Sequence, residues 1–170
     1  MPPGSPAAAS ARLPPAGYRL LYLVAQPVSV PSAADCVFVY TGDVFRMVDR
    51  PAPAALLAGC LGDFRGDGRE DLALLLTRER DGAAVPVVLR ARPPGWDVIE
   101  LGEVTDPYGF QVDRTAWPGP FCTPKPRSGV LRSEVAGDTA IVVGDLLTVG
   151  WRTYFWDPGA GRFDSLLTND

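Results

Sequence analysis

The chain has 170 residues and a net charge of −4, with 46% apolar and 21% charged side chains. That length suits one domain with a real core, and mild acidity without a basic run offers no electrostatic footing for nucleic acid. Histidine is absent, which removes Ser-His-Asp and Cys-His catalysis, histidine acid–base chemistry and His-liganded zinc from consideration. No apolar run approaches the roughly 20 residues of a membrane-spanning helix.

Gly and Pro number 18 each. They punctuate short apolar runs, which favours strands and turns over long helices. The expected fold class is mostly β, an antiparallel set of meanders and hairpins in a sandwich-like or partial propeller-like domain with little helix. Residues 1–16 are Pro/Ala-rich with Arg12 as their one charge. They read as a disordered leader ahead of a single β-rich domain at 17–170. The leader lacks the basic start and long Leu-rich core of a secretory signal. A mature chain whose signal had been removed would read the same way. In that case a periplasmic or secreted location is favoured, and otherwise a cytoplasmic one.

Tyr18 to Ala25 is an apolar run of strand length, or one or two helical turns, ended by Pro27 and Pro31. Cys36–Tyr40 and Val44–Val48, joined by Thr41-Gly42-Asp43, read as a hairpin. Ala54 to Leu61 reads as a short helix or strand leading into an acidic loop. Leu72 to Thr77 has little polar alternation, the mark of a central strand buried on both faces. Arg78–Gly82 is a charged turn, and Val85–Arg90 the next strand. Arg92–Trp96 is another turn before Asp97–Leu101 returns. Residues 62–101 thus resemble one antiparallel meander.

The stretch 102–133 is proline-punctuated and reads as a long irregular connection, ordered in part by Tyr108, Phe110, Trp117 and Phe121. Thr139–Val143, Thr148–Trp156 and Arg162–Leu167 read as three further strands, with turns at Gly144-Asp145 and residues 157–161. Cys36, Cys60 and Cys122 are widely spaced, without Cys-x-x-Cys, so zinc and thioredoxin-like readings fail. Either two of them form a disulfide or all three are buried small apolar side chains. Spacing does not choose the partners.

Residues 59–76 carry the strongest local pattern. Asp63, Asp67 and Asp71 recur every four residues, with Gly66 and Gly68 between them and an apolar run after. Calcium takes 6–8 oxygens, so carboxylates crowded in a tight turn suit it. Asp63, Asp67 and Asp71 are the candidate side-chain ligands, and Arg69 a candidate through its carbonyl. An EF-hand counted from Asp63 has its glycine at Gly68 but meets Leu74 where a bidentate Glu belongs. The EF-hand is therefore rejected.

The run Gly62-Asp63-Phe64-x-Gly66-Asp67-Gly68-x-x-Asp71, followed by a strand, resembles the FG-GAP/VCBS-type repeat. The likeness covers about 12 residues and extends weakly to about residue 101. Residues 135–143 share only a Gly-Asp pair and a strand with it. The closing segment, with Tyr154-Phe-Trp-Asp, resembles the C-terminus of small bacterial proteins that carry one such loop. The resemblance implies a β-rich fold, a calcium ion as cofactor, and an extracytoplasmic recognition or scaffold role. Arg65 departs from the pattern where the repeat offers an oxygen, and a guanidinium cannot ligate a cation. The loop is thus either a weak calcium site or a metal-free loop closed by an Arg65–aspartate pair.

Alternation on a strand places Trp151, Thr153 and Phe155 on one face, and Arg152, Tyr154 and Trp156 on the other. The second set is packed against a further layer or forms an aromatic–arginine surface for a protein or carbohydrate partner. No catalytic residue is assigned. The expected function is a non-catalytic structural or interaction module. The alternatives are a carboxylate-dependent hydrolase with its groups in 102–133, and a small inhibitor or partner protein docking through the aromatic face.

Overall fold

The computed structural model describes residues 13–26, 44–48, 56–57, 59–102, 120–133 and 137–168. Every regular element among them is a strand: β1 (Tyr18–Leu20), β2 (Tyr22–Gln26), β3 (Val44–Val48), β4 (Leu56–Leu57), β5 (Gly59–Gly62), β6 (Asp71–Arg78), β7 (Ala84–Arg92), β8 (Gly95–Glu100), β9 (Phe121–Thr123), β10 (Val130–Arg132), β11 (Thr139–Ile141), β12 (Leu146–Val149), β13 (Arg152–Asp157) and β14 (Arg162–Leu167). All pairings are antiparallel. The mostly β expectation holds.

Two sheets carry the domain. In the first, β6 pairs β7, which pairs β8; the other edge of β6 is shared by β5 on its first half and β1 on its second. The second runs β9–β12–β13–β14. Two smaller sheets, β3–β2–β4 and β10–β11, complete the set.

The central strand is β6, as its unbroken apolar run implies. Ala73 and Leu75 face a core shared with Leu147 and Val149 of the second sheet, while Leu74 and Leu76 face a separate cluster with Val85, Val87 and Leu89. Each buried Leu or Val among them stabilises by about 1.5–3 kcal/mol. A third cluster lies on the far face of the second sheet, where Leu131 and Ala140 of the β10–β11 hairpin cover Val142, Leu146 and Phe155.

The two sheets repeat one register. Across the first runs the row Cys60↔Ala73↔Val88↔Ile99, and across the second Cys122↔Leu147↔Tyr154↔Ser165. Asp71 stands two residues before Ala73, and Asp145 two before Leu147. Strands β5–β8 and the set β9, β12–β14 are therefore equivalent four-stranded units. A Cys60–Cys122 disulfide joins their matching edge strands, with Cα atoms 5.9 Å apart. The bridge spans 62 residues, and a loop of that size stabilises by about 4 kcal/mol in the chain-entropy account. Cys36 lies outside the described residues.

Several expectations shift. The Tyr18–Ala25 run is two strands broken at Leu21, which is fully buried in the core; β1 joins the first sheet and β2 a smaller one. Ala54–Leu61 is extended wherever it is described, as β4 and β5. Thr148–Trp156 is not one strand. Val149 pairs with Arg152, so Gly150-Trp151 is a two-residue hairpin loop, the length that best matches strand twist. Residues 120–133 are not wholly irregular, since β9 and β10 lie there. Three-residue strands between prolines show no periodicity, and β9 finds its partner only at β12. The leader at 1–12, the Cys36–Tyr40 arm with its loop, and residues 103–119 lie outside the described residues.

Candidate functional site

The β5–β6 connection holds the three aspartates of the acidic loop, and each has a different partner. Asp63 accepts backbone amides on both oxygens, from Asp67 to Oδ1 at 3.1 Å and from Gly68 to Oδ2 at 2.9 Å. These bonds wrap the turn around its first carboxylate. Asp67 accepts the Arg69 amide at 3.0 Å. Asp71 opens β6 with its side chain fully buried.

A buried carboxylate needs a partner, because an unpaired charge out of water costs several kcal/mol. Arg90 supplies it from β7. Its Nε and Nη2 donate to Asp71 Oδ1 and Oδ2 at 2.6 and 3.1 Å; its Nη1 and Nη2 donate to Asp67 Oδ2 and Oδ1 at 2.6 and 3.1 Å. One guanidinium thus grips two carboxylates through both oxygens of each, the strong planar form of ion pair. These bonds, led by the one from Arg90, hold the Asp67 carboxyl down at about 2 against the opposing effect of desolvation. Asp71 and Asp67 in turn raise Arg90.

Arg65 closes the loop only in part. Its Nε stands 3.8 Å from Asp71 Oδ2 and makes no hydrogen bond. Its guanidinium lies 4.8 Å from the Trp156 ring centroid, a cation–π contact. Trp156 in turn meets Phe163 edge-on at 5.2 Å, and Phe163 meets the buried Phe64 at 6.3 Å. The main closure of the loop is Arg90.

The loop is also clamped to the second unit. The Asp63 amide donates to Asp145 Oδ2 at 2.8 Å, the Asp145 amide returns a bond to the Asp63 carbonyl at 2.9 Å, and the Lys125 amide donates to Asp145 Oδ1 at 3.0 Å. Backbone meets backbone here. A Cβ on Gly66 (φ +67°) would lie 2.1 Å from the Val143 carbonyl oxygen, and one on Gly144 2.2 Å from the Phe64 carbonyl oxygen. Only glycine fits either position. Gly66 therefore serves this approach as well as the turn.

The aspartate oxygens named as calcium ligands are all engaged in this arrangement. Both of Asp63 hold amides, and all four of Asp67 and Asp71 hold Arg90. Arg69 contributes its amide to Asp67 and its guanidinium to the Ala91 carbonyl at 3.4 Å. Among the described residues no group of three or more His, Cys, Asp or Glu side chains is placed to hold a metal ion. The donor set as arranged does not fit a calcium ion.

The suggested partner surface is divided. Arg152 is exposed and donates to Ser165 Oγ at 3.1 Å. Tyr154 packs on the central core, where desolvation raises its hydroxyl, and Trp156 is half-buried beneath Arg65. Trp151 sits in the hairpin loop, while Thr153 and Phe155 are buried. Strand β13 is therefore buried at Thr153 and Phe155 on one face and partly buried at Tyr154 and Trp156 on the other, with Arg152 exposed.

A second polar cluster lies at the other end of β6. Arg78 pairs with Asp81 and Glu100, and Tyr18 donates to Glu100. An open cleft of about 490 Å³ borders Tyr18, Arg78 and Glu100, lined also by Ala16, Gly17, Glu79 and Arg80. Asp81 is held at about 2, chiefly by its bond from Arg78. Glu100 is lowered, chiefly by its bond from Tyr18.

Arg90 and Asp145 were not among the residues singled out from sequence. A signal for Arg90 existed: a hairpin folded about Arg78–Gly82 with Leu76 opposite Val85 brings Arg90 opposite Asp71. Asp145 had only its Gly-Asp dipeptide. The chain matches no protein-family model, no curated protein and no solved structure.

Proposed function

We propose that the protein is a non-catalytic structural or interaction module of the bacterial envelope or exterior, with a protein or carbohydrate partner. One observation carries this reading: the carboxylates of the most chemically dense loop are engaged by Arg90 and by backbone amides, so they serve closure of the fold. General acid–base work calls for carboxyls raised toward neutrality. Asp67, Asp81 and Glu100 are all lowered. The Cys60–Cys122 bridge favours an oxidising compartment, where such bonds form and persist.

A panel of chromogenic esters, phosphoesters and glycosides tests it. The expected result is no turnover above buffer. Turnover that copurifies with the protein and is lost in Glu103→Gln, Asp106→Asn or Asp113→Asn overturns the reading in favour of the carboxylate-dependent hydrolase with its groups in 102–133.

A further inference from the structure

We infer that the Arg90 guanidinium does for Asp67 and Asp71 what a bound divalent cation would do, so that loop 63–71 is closed by a cation built into the chain. The inference stands apart from the module reading and would survive the discovery of an activity.

Position is the first ground. Arg90 touches every oxygen of Asp67 and Asp71, two of the three side chains that the loop pattern marks for the ion. Charge is the second. Arg90, with Arg65 3.8 Å from Asp71, brings two positive charges to the two carboxylates, as a divalent ion would. The remaining carboxylate, Asp63, is neutralised in part by the amides of Asp67 and Gly68.

Attachment is the third ground. The pairing Leu72↔Leu89 of β6 and β7 brings Asp71 and Arg90 opposite each other, so the guanidinium is delivered by the same hairpin it closes. A bound ion leaves when its concentration falls, and its affinity follows the protonation of its ligands. A guanidinium neither dissociates from its strand nor loses its proton at any ordinary pH. The loop's order is thus independent of free calcium.

The test is thermal unfolding of the full chain with its disulfide intact, in millimolar calcium chloride and in EGTA. The wild-type protein should melt at the same temperature in both. Arg90→Met, which keeps the volume and removes the charge, should melt roughly 10 °C lower in EGTA, because Asp71 is left buried and unpaired. Calcium should restore part of that loss. A wild-type melting temperature raised by calcium overturns the inference, as does an Arg90→Met protein as stable as the wild type. An Arg90→Met protein that is destabilised yet indifferent to calcium also overturns it, since Arg90 would then be an ordinary ion pair. If Arg90→Met does not fold, Arg90→Lys decides the matter. One ammonium cannot fork two carboxylates, so that variant should melt lower and regain stability with calcium, and indifference to calcium overturns the inference.

Discussion

The two units joined by the Cys60–Cys122 bridge share a register and differ in what closes them. In the first, Asp71 at the head of β6 meets Arg90 on β7. In the second, Asp145 precedes β12 at the matching place, and the residue matching Arg90, two beyond Tyr154, is Trp156. Asp145 is satisfied by the amides of Asp63 and Lys125, so no guanidinium is needed beside it. Trp156 packs on Phe163 and is capped by Arg65, an arginine of the first unit. The same strand geometry thus supports an ionic closure and an aromatic one. The ionic one concentrates its energy in a single side chain, because losing Arg90 strands a buried charge. The aromatic one spreads it over contact area.

The largest change expected comes from separating the units. Cys60→Ala with Cys122→Ala should lower the unfolding free energy by about 4 kcal/mol, read by urea denaturation. Reductant should weaken the wild type and leave the double variant unaffected. Next comes the contrast between closures. Arg90→Met should cost about 3 kcal/mol, and Trp156→Ala about 2 kcal/mol, less than a full aromatic deletion because the ring is only half-buried. If Trp156→Ala costs more than Arg90→Met, the contrast is inverted and the ionic closure is not the stronger.

The smallest effect is a pH window. Asp67 titrates at about 2 in the fold against an ordinary 3.8, so its charged form is the one the fold favours. Its contribution is complete above about pH 4 and is lost as pH falls toward 2. Asp67→Asn should flatten the stability profile between those values and leave its shape near pH 7 unchanged. A variant whose acid limb matches the wild type would place that limb on other groups.

Much of the first unit was legible because its information is local. The unbroken Leu72–Thr77 run announced a doubly buried strand, and Gly62 to Asp71 a tight turn ahead of it. Short hairpins then carried the meander to residue 101. The second unit was less legible because its pieces are scattered. Its edge strand β9 is three residues long, and the β10–β11 hairpin intervenes before β12. The equivalence of the units appears only once Cys60 and Cys122 are seen opposite Ala73 and Leu147. The disulfide partners were hidden for the same reason. Arg65 stands inside the motif, yet the residue that closes the loop lies 19 positions beyond Asp71. Pairing, not proximity in sequence, placed it there.

The most direct measurement is a crystal structure of the oxidised chain grown in millimolar calcium. The Arg90 guanidinium should stand between Asp67 and Asp71, with both oxygens of each in hydrogen-bond reach and no ion among them. An ion liganded by Asp63, Asp67 and Asp71, with Arg90 turned out to solvent, would contradict a loop closed by its own arginine.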